Sequence, residues 1–196
     1  ATITAEKGTT DQTTTYVRGH SGNNPIDKNW VTKVQYPDPT AGTSSDATAA
    51  TIVTTFNLDG TVATQRVQNG HTFNYGYDAL RRLAHQYATS IPGTIDSSIV
   101  RIDYAYTTAG MLDTVKSFDN TSGTGTPINS VQLEYTSFLQ LAKDSQEHSG
   151  NVSGSTPYVG YTYEHCEASR NYFDRLQQIR YPNDRKVLYT TGNSTS

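Results

Sequence analysis

Glu164-His165-Cys166-Glu167 is the densest group of reactive side chains in this chain. A cysteine nucleophile works as the thiolate, so it needs a separate histidine or a helix N-terminus to lower its pKa. A hydrolase is the chemistry such a group would serve. His165, however, is the direct sequence neighbour of Cys166, and neighbours on a strand point to opposite faces. A loop insertion accounts for the cluster with fewer assumptions. No Cys-x-x-Cys or His-x-x-x-His spacing supports zinc. The other histidines, His20, His71, His85 and His148, are scattered. Asp59-Gly60 and Asp38 lack the alternating acidic spacing of a calcium loop, and they read as turn residues. Phosphate-binding glycine loops and Gly-x-Ser-x-Gly are absent. Asn120-Thr121-Ser122, Asn151-Val152-Ser153 and Asn193-Ser194-Thr195 fit glycosylation acceptors, as chance matches do in a Ser/Thr-rich chain. No catalytic residue, metal ligand or cofactor is therefore expected, and the chain reads as a non-enzyme.

Composition narrows the class. The 196 residues carry a net charge of -3 and a pI of about 5.9, which leaves no basic footprint for nucleic acid. Hydrophobic residues make up 34% and charged residues 17%, with Thr, Ser, Asn, Gln, Gly and 14 Tyr filling the gap. Thr and Tyr favour pleated, half-buried surfaces, so the expected fold class is all-β. One cysteine, Cys166, excludes an intramolecular disulfide. No apolar run approaches the roughly 18 residues of a membrane span. The chain starts at Ala1 with no visible signal peptide, and it reads as a fragment or a processed piece.

The elements that must position these residues recur. An aromatic is followed by an aliphatic six places on at Phe56/Val62, Tyr77/Leu83, Tyr106/Leu112 and Tyr135/Leu141. The anchors Phe56, Tyr77, Tyr106, Tyr135 and Tyr163 lie 21, 29, 29 and 28 residues apart. A period of roughly 20 to 50 residues marks a repeat architecture. Period-two alternation leads into each anchor: Phe73, Tyr75 and Tyr77; Val100, Ile102, Tyr104 and Tyr106; Val131, Leu133 and Tyr135. Each unit therefore reads as a β-hairpin. Gly60 and Gly110 sit where its turn needs positive φ. Turn-rich connectors span 90–98, 119–130 and 149–157, and 37–50 is a long polar loop. Segments 13–18 and 30–36 read as a further strand pair. In the last unit Tyr161-Thr162-Tyr163 reaches its aliphatic, Leu176, only 13 places on, which implies an insertion near 165–171. Leu176 to Asn183 echoes Val31 to Asp38 as aliphatic-x-x-aliphatic-x-Tyr-Pro-Asn/Asp. Residues 1–50 are expected as a divergent repeat or strand pair with a long loop, 51–190 as a hairpin array, and 191–196 as a flexible end.

Tyr75-Gly76-Tyr77-Asp78-Ala79-Leu80-Arg81-Arg82-Leu83 and Tyr104-Ala105-Tyr106-Thr107-Thr108-Ala109-Gly110-Met111-Leu112 carry a family resemblance. The sequence resembles the RHS or YD-repeat family, whose unit reads roughly Tyr-x-Tyr-Asp-x-x-Gly-Arg-Leu. Weaker copies run from Val131 to Leu141 and from Tyr161 to Leu176, and the similarity covers about 14–190. Arg81 and Leu139 stand where the pattern wants Gly; a β-carbon at positive φ costs on the order of a kcal/mol, so those turns are expected to differ or to be strained. Asp78 is the pattern's Asp; Asn57, Thr107, Thr136 and Glu164 replace it elsewhere. The resemblance implies a spiral of hairpins forming part of a hollow β-shell that encloses a polypeptide cargo, often a C-terminal toxin, in a secreted or surface protein of bacterial type. The partners it implies are neighbouring repeats of the same shell and that cargo. The tyrosine ladder raises a second expectation, a cell-surface adhesion or glycan-binding module, because aromatic faces stack on sugars. Packing of Tyr75, Tyr77, Tyr104, Tyr106, Tyr135, Tyr161 and Tyr163 on neighbouring hairpins explains the same ladder.

Overall fold

A computed structural model describes residues 1–5, 11–19, 29–47, 50–164 and 175–189. The chain divides into two compact units, Ala1–Arg101 with Asp119–Ser122 and Ile102–Phe118 with Gly123–Ser196. In each unit the strands follow chain order, every strand hydrogen-bonded to its sequence neighbours. The fold is all-β, an array of antiparallel hairpins, as the period-two runs and turn signals predict.

The first unit contains β1 (Thr2–Ala5), β2 (Gln12–Arg18), β3 (Val31–Gln35), β4 (Thr51–Phe56), β5 (Val62–Arg66), β6 (Thr72–Tyr77) and β7 (Leu83–Ser90). The expected early strand pair is β2 with β3, in register Tyr16↔Val34. Strand β1 was not foreseen. It is a threonine-rich edge that pairs Thr4 with Thr13 and has too few apolar residues to show a period. The second unit contains β8 (Arg101–Tyr106, all but its first residue), β9 (Leu112–Phe118), β10 (Asn129–Tyr135), β11 (Leu141–Glu147), β12 (Tyr158–Glu164), β13 (Arg175–Arg180) and β14 (Lys186–Leu188).

The uneven first interval has a local cause. The turn at 67–71 joins β5 to β6 in five residues, with Gly70 N–H on the Val67 carbonyl at 2.9 Å. The matching connections before β8, β10 and β12 are about ten residues long. A short connector gives the 21-residue spacing and longer ones give 28 or 29.

The sheet has almost no interior. Among described residues the buried apolar side chains are Ala88 and Phe118, while Thr51 and Ser145 are the fully buried ones. Apolar strand residues such as Leu133, Val159 and Tyr161 remain only half-buried.

Candidate functional site: the repeat seams

Among the described residues the tight hairpin turns share one build. At 57–61 the Gly60 N–H donates to the Asn57 carbonyl at 3.1 Å, and the Asn57 N–H donates to the Thr61 carbonyl at 2.8 Å. The same pair of bonds recurs at 78–82, 107–111, 136–140 and 181–185. This is a three-residue loop, a type I turn closed by a left-handed residue that makes a bulge. Gly60 has φ +94° and Gly110 +87°, as expected. Arg81 and Leu139 adopt φ +62°, and Asp184 adopts +61°. The expectation that the Arg81 and Leu139 turns differ does not hold for their hydrogen bonding. They keep the common turn and carry its strain on a side-chain-bearing residue, and the surrounding ladder enforces the geometry.

The position after the anchor aromatic has a shared task. Asp78 Oδ1 accepts the Leu80 and Arg82 amides at 2.8 and 2.9 Å. Thr107 Oγ1 accepts the Met111 amide, and Thr136 Oγ1 accepts those of Phe138 and Gln140. Asp and Thr are thus interchangeable as acceptors that mimic a turn. The Arg82 amide is the main influence holding the Asp78 carboxyl below the usual range, and Arg82 also grips it by a 2.7 Å ion pair. In the first turn Asp59 takes over, accepting the amide and hydroxyl of Thr61, and these bonds lower its pKa. Asp38 likewise accepts the Thr40 and Ala41 amides. Both aspartates perform turn chemistry.

Across each hairpin mouth the anchor aromatic pairs with its aliphatic: Phe56↔Val62, Tyr77↔Leu83, Tyr135↔Leu141 and Tyr163↔Leu176. The last pair holds although 13 residues separate its partners in sequence. A register shift falls beside the aromatic in all four, so the bulge takes it out of strict alternation.

Between hairpins the ladder opens, and the tyrosines close it. The last backbone pair is Thr64↔Asn74, Gln132↔Thr114 or Lys143↔Gly160, each three residues before Tyr77, Tyr135 or Tyr163. There the Tyr135 hydroxyl donates to the Leu112 carbonyl at 2.8 Å, and the Tyr163 hydroxyl donates to the Leu141 carbonyl at 2.9 Å. Burial raises the Tyr77 pKa, and a hydrogen bond with the Val62 backbone opposes that rise. Each acceptor is the aliphatic that closes the preceding turn. At these two seams a side-chain O–H thereby replaces the missing backbone donor, each bond worth about 1 kcal/mol. Phe56, three residues beyond the Lys33↔Val53 pair, has no hydroxyl and packs instead on Trp30, with ring centroids 4.7 Å apart. Burial first, then the Asp113 charge, raises the Tyr135 pKa, so its proton stays available to donate. Burial likewise raises the pKa of Tyr75, Tyr104 and Tyr161.

Of the Glu164-His165-Cys166-Glu167 cluster only Glu164 lies within the described residues, where it pairs in register with Arg175. The insertion at 165–171, His20, the third sequon and 191–196 lie outside them. His85 lies over Gly76, leaving no room for a β-carbon there, and stacks on Tyr87. His71 meets Phe73 edge-on. Among described residues no group of three or more His, Cys, Asp or Glu could hold a metal ion. No described helix is long and apolar enough to cross a membrane. The seam hydroxyls escaped the sequence reading. Their signal is the choice of Tyr over Phe at the last aromatic of a run.

No protein-family model matches the chain, and no curated protein matches it in sequence. Solved structures do match in fold. The crystal structure of TcdB2-TccC3-TEV superposes with a TM-score of 0.50 and 16% identity, over 78% of this chain and 7% of that one. The shared fold is an array of antiparallel β-hairpins, the fold that the RHS or YD-repeat resemblance implies. Such an array explains the shared turn, the anchor pairs and the chain-order strands together. The crystal structure of TcdB2-TccC3-Cdc42 aligns over 83% of this chain and 11% of that one, at TM-score 0.30 and 11% identity, and carries no weight here. The chain thus spans a small part of the proteins it resembles in fold.

Proposed function

We propose that this chain is a non-enzymatic segment of a secreted or surface RHS-type protein, forming part of a shell wall around a polypeptide cargo. The observation that carries the reading is how little of the sheet is covered: among the described residues the buried apolar core is Ala88 and Phe118. The sheet's apolar side chains are half-covered, and its hairpins are latched to one another rather than to an interior. A sheet in that state has a face that another polypeptide completes. The fold likeness to a chain of TcdB2-TccC3-TEV supports the same reading. The adhesion alternative rests on outward tyrosines. It loses support where Tyr135 and Tyr163 commit their hydroxyls to backbone carbonyls. The test is protease protection in the full-length polypeptide that carries this chain. An enclosed cargo should resist digestion until the wall is opened by denaturant. Cleavage of the cargo at the rate of the same polypeptide expressed free refutes the shell.

A further inference from the structure

In the second unit a cleft of about 370 Å³ opens beside the end of β11, the start of β12 and the β13–β14 turn. Asp144, Glu147, His148, Pro157, Tyr158 and Pro182 form most of its wall. Its two carboxylates are unlike. Glu147 is satisfied: Oε2 accepts the Thr156 hydroxyl at 2.7 Å and Oε1 the Ser149 amide at 3.4 Å. Asp144 is not: its Oδ1 is buried and has no hydrogen-bond partner. Asp144 stands opposite Val159 on β12 and Leu133 on β10, which offer no donor. The Tyr161 phenol, whose pKa burial and then the Asp144 charge raise, and the Gln146 amide are its polar neighbours, and neither is bonded to that oxygen. The cations nearby are committed elsewhere. Lys143 pairs with Glu134 at 2.9 Å and lies over the Tyr158 ring, and Arg180 pairs with Asp184 at 2.5 Å. A buried carboxylate oxygen left unpaired is costly, and a charged donor offsets that cost best.

We infer that this cleft takes a lysine or arginine side chain from a polypeptide lying against the sheet. The stem of such a side chain packs on Pro157 and Pro182, the Tyr158 ring flanks it, and the charged head reaches Asp144. A sugar hydroxyl would satisfy the oxygen but leave its charge uncompensated. The inference rests on the wall reading for the identity of the occupant, since a wall around a polypeptide brings such side chains to the sheet.

The test is calorimetric titration of the 196-residue chain. Three probes are used: a blocked Gly-Lys-Gly tripeptide, its norleucine counterpart and maltose. Saturable binding of the lysine probe alone is expected, weakened about ten- to a hundredfold in Asp144→Asn. The melting temperature of Asp144→Asn should hold or rise, because its Oδ1 has no internal hydrogen bond to lose. Equal binding of norleucine or maltose overturns the proposal. So does the absence of saturable binding, an unchanged affinity in the variant, or a fall in its melting temperature, which would reveal an internal partner for Asp144. Protease protection is read on a different molecule, so the wall reading can survive failure here.

Discussion

A residue's backbone angle, more than its side chain, decides what each turn position costs. The left-handed place in the hairpin turn holds Gly60 and Gly110 in two repeats and Arg81 and Leu139 in two others, with the same hydrogen bonds. An L-residue there carries a penalty of roughly 1–2 kcal/mol, partly offset by the larger unfolded-state entropy of glycine. Leu139→Gly should therefore stabilise the chain by about 0.5–1 kcal/mol. Gly60→Ala should have the opposite sign: it adds the same strain and places a β-carbon 2.9 Å from the Trp30 ring. A loss above about 1 kcal/mol is expected. Urea midpoints of the two variants check the pair, and a common sign for both would mean that the turn angle is not what sets their stability. Arg81 is the less clean site, because its guanidinium also reaches Asp59 of the preceding turn, 3.5 Å from the carboxylate.

At the scale of the hairpin, strands and turns were legible because each rests on local rules. The alternation before Tyr77, Tyr106 and Tyr135 marked strands, and the six-residue step to the aliphatic marked the bulged turn. Leu176 reads as the aliphatic of Tyr163, displaced to 13 places by an insertion, and the two stand as cross-strand partners. The seams between hairpins were not legible. They depend on where a ladder stops, which is a property of two strands joined by connectors of irregular length. Nor was Asp144 singled out, since its isolation arises from Val159 and Leu133 on other strands. The seam itself makes a prediction. Tyr135→Phe and Tyr163→Phe each remove one donor and leave a carbonyl, of Leu112 or Leu141, without it. Each should cost about 1 kcal/mol and speed amide exchange at the neighbouring hairpin mouth. Tyr75→Phe is the control, because burial alone perturbs its hydroxyl, and it should change stability by no more than about 0.5 kcal/mol. Equal effects at all three positions would remove the seam bond from the account.

For the molecule as a whole, the deciding quantity is the surface it fails to bury. Among the described residues the buried apolar core is Ala88 and Phe118. Each hairpin leans only on its neighbours, so stability accrues along the array as a sum of small seam terms. That arrangement tolerates drift in the repeat, as Thr107 and Thr136 in place of Asp show, but it leaves an apolar face and two strand edges open. Ile3 on β1 and Leu188 on β14 are exposed at 60% and 67%, so the outer strands carry apolar side chains into solvent. Unpaired edges recruit other strands, and half-covered apolar faces associate. The isolated chain should consequently self-associate with rising concentration and melt over a broad range. Sedimentation velocity across a concentration series, read beside calorimetry, checks this. A monodisperse monomer with one sharp, calorimetrically two-state transition would contradict it, because such behaviour requires an internal core in place of the open face.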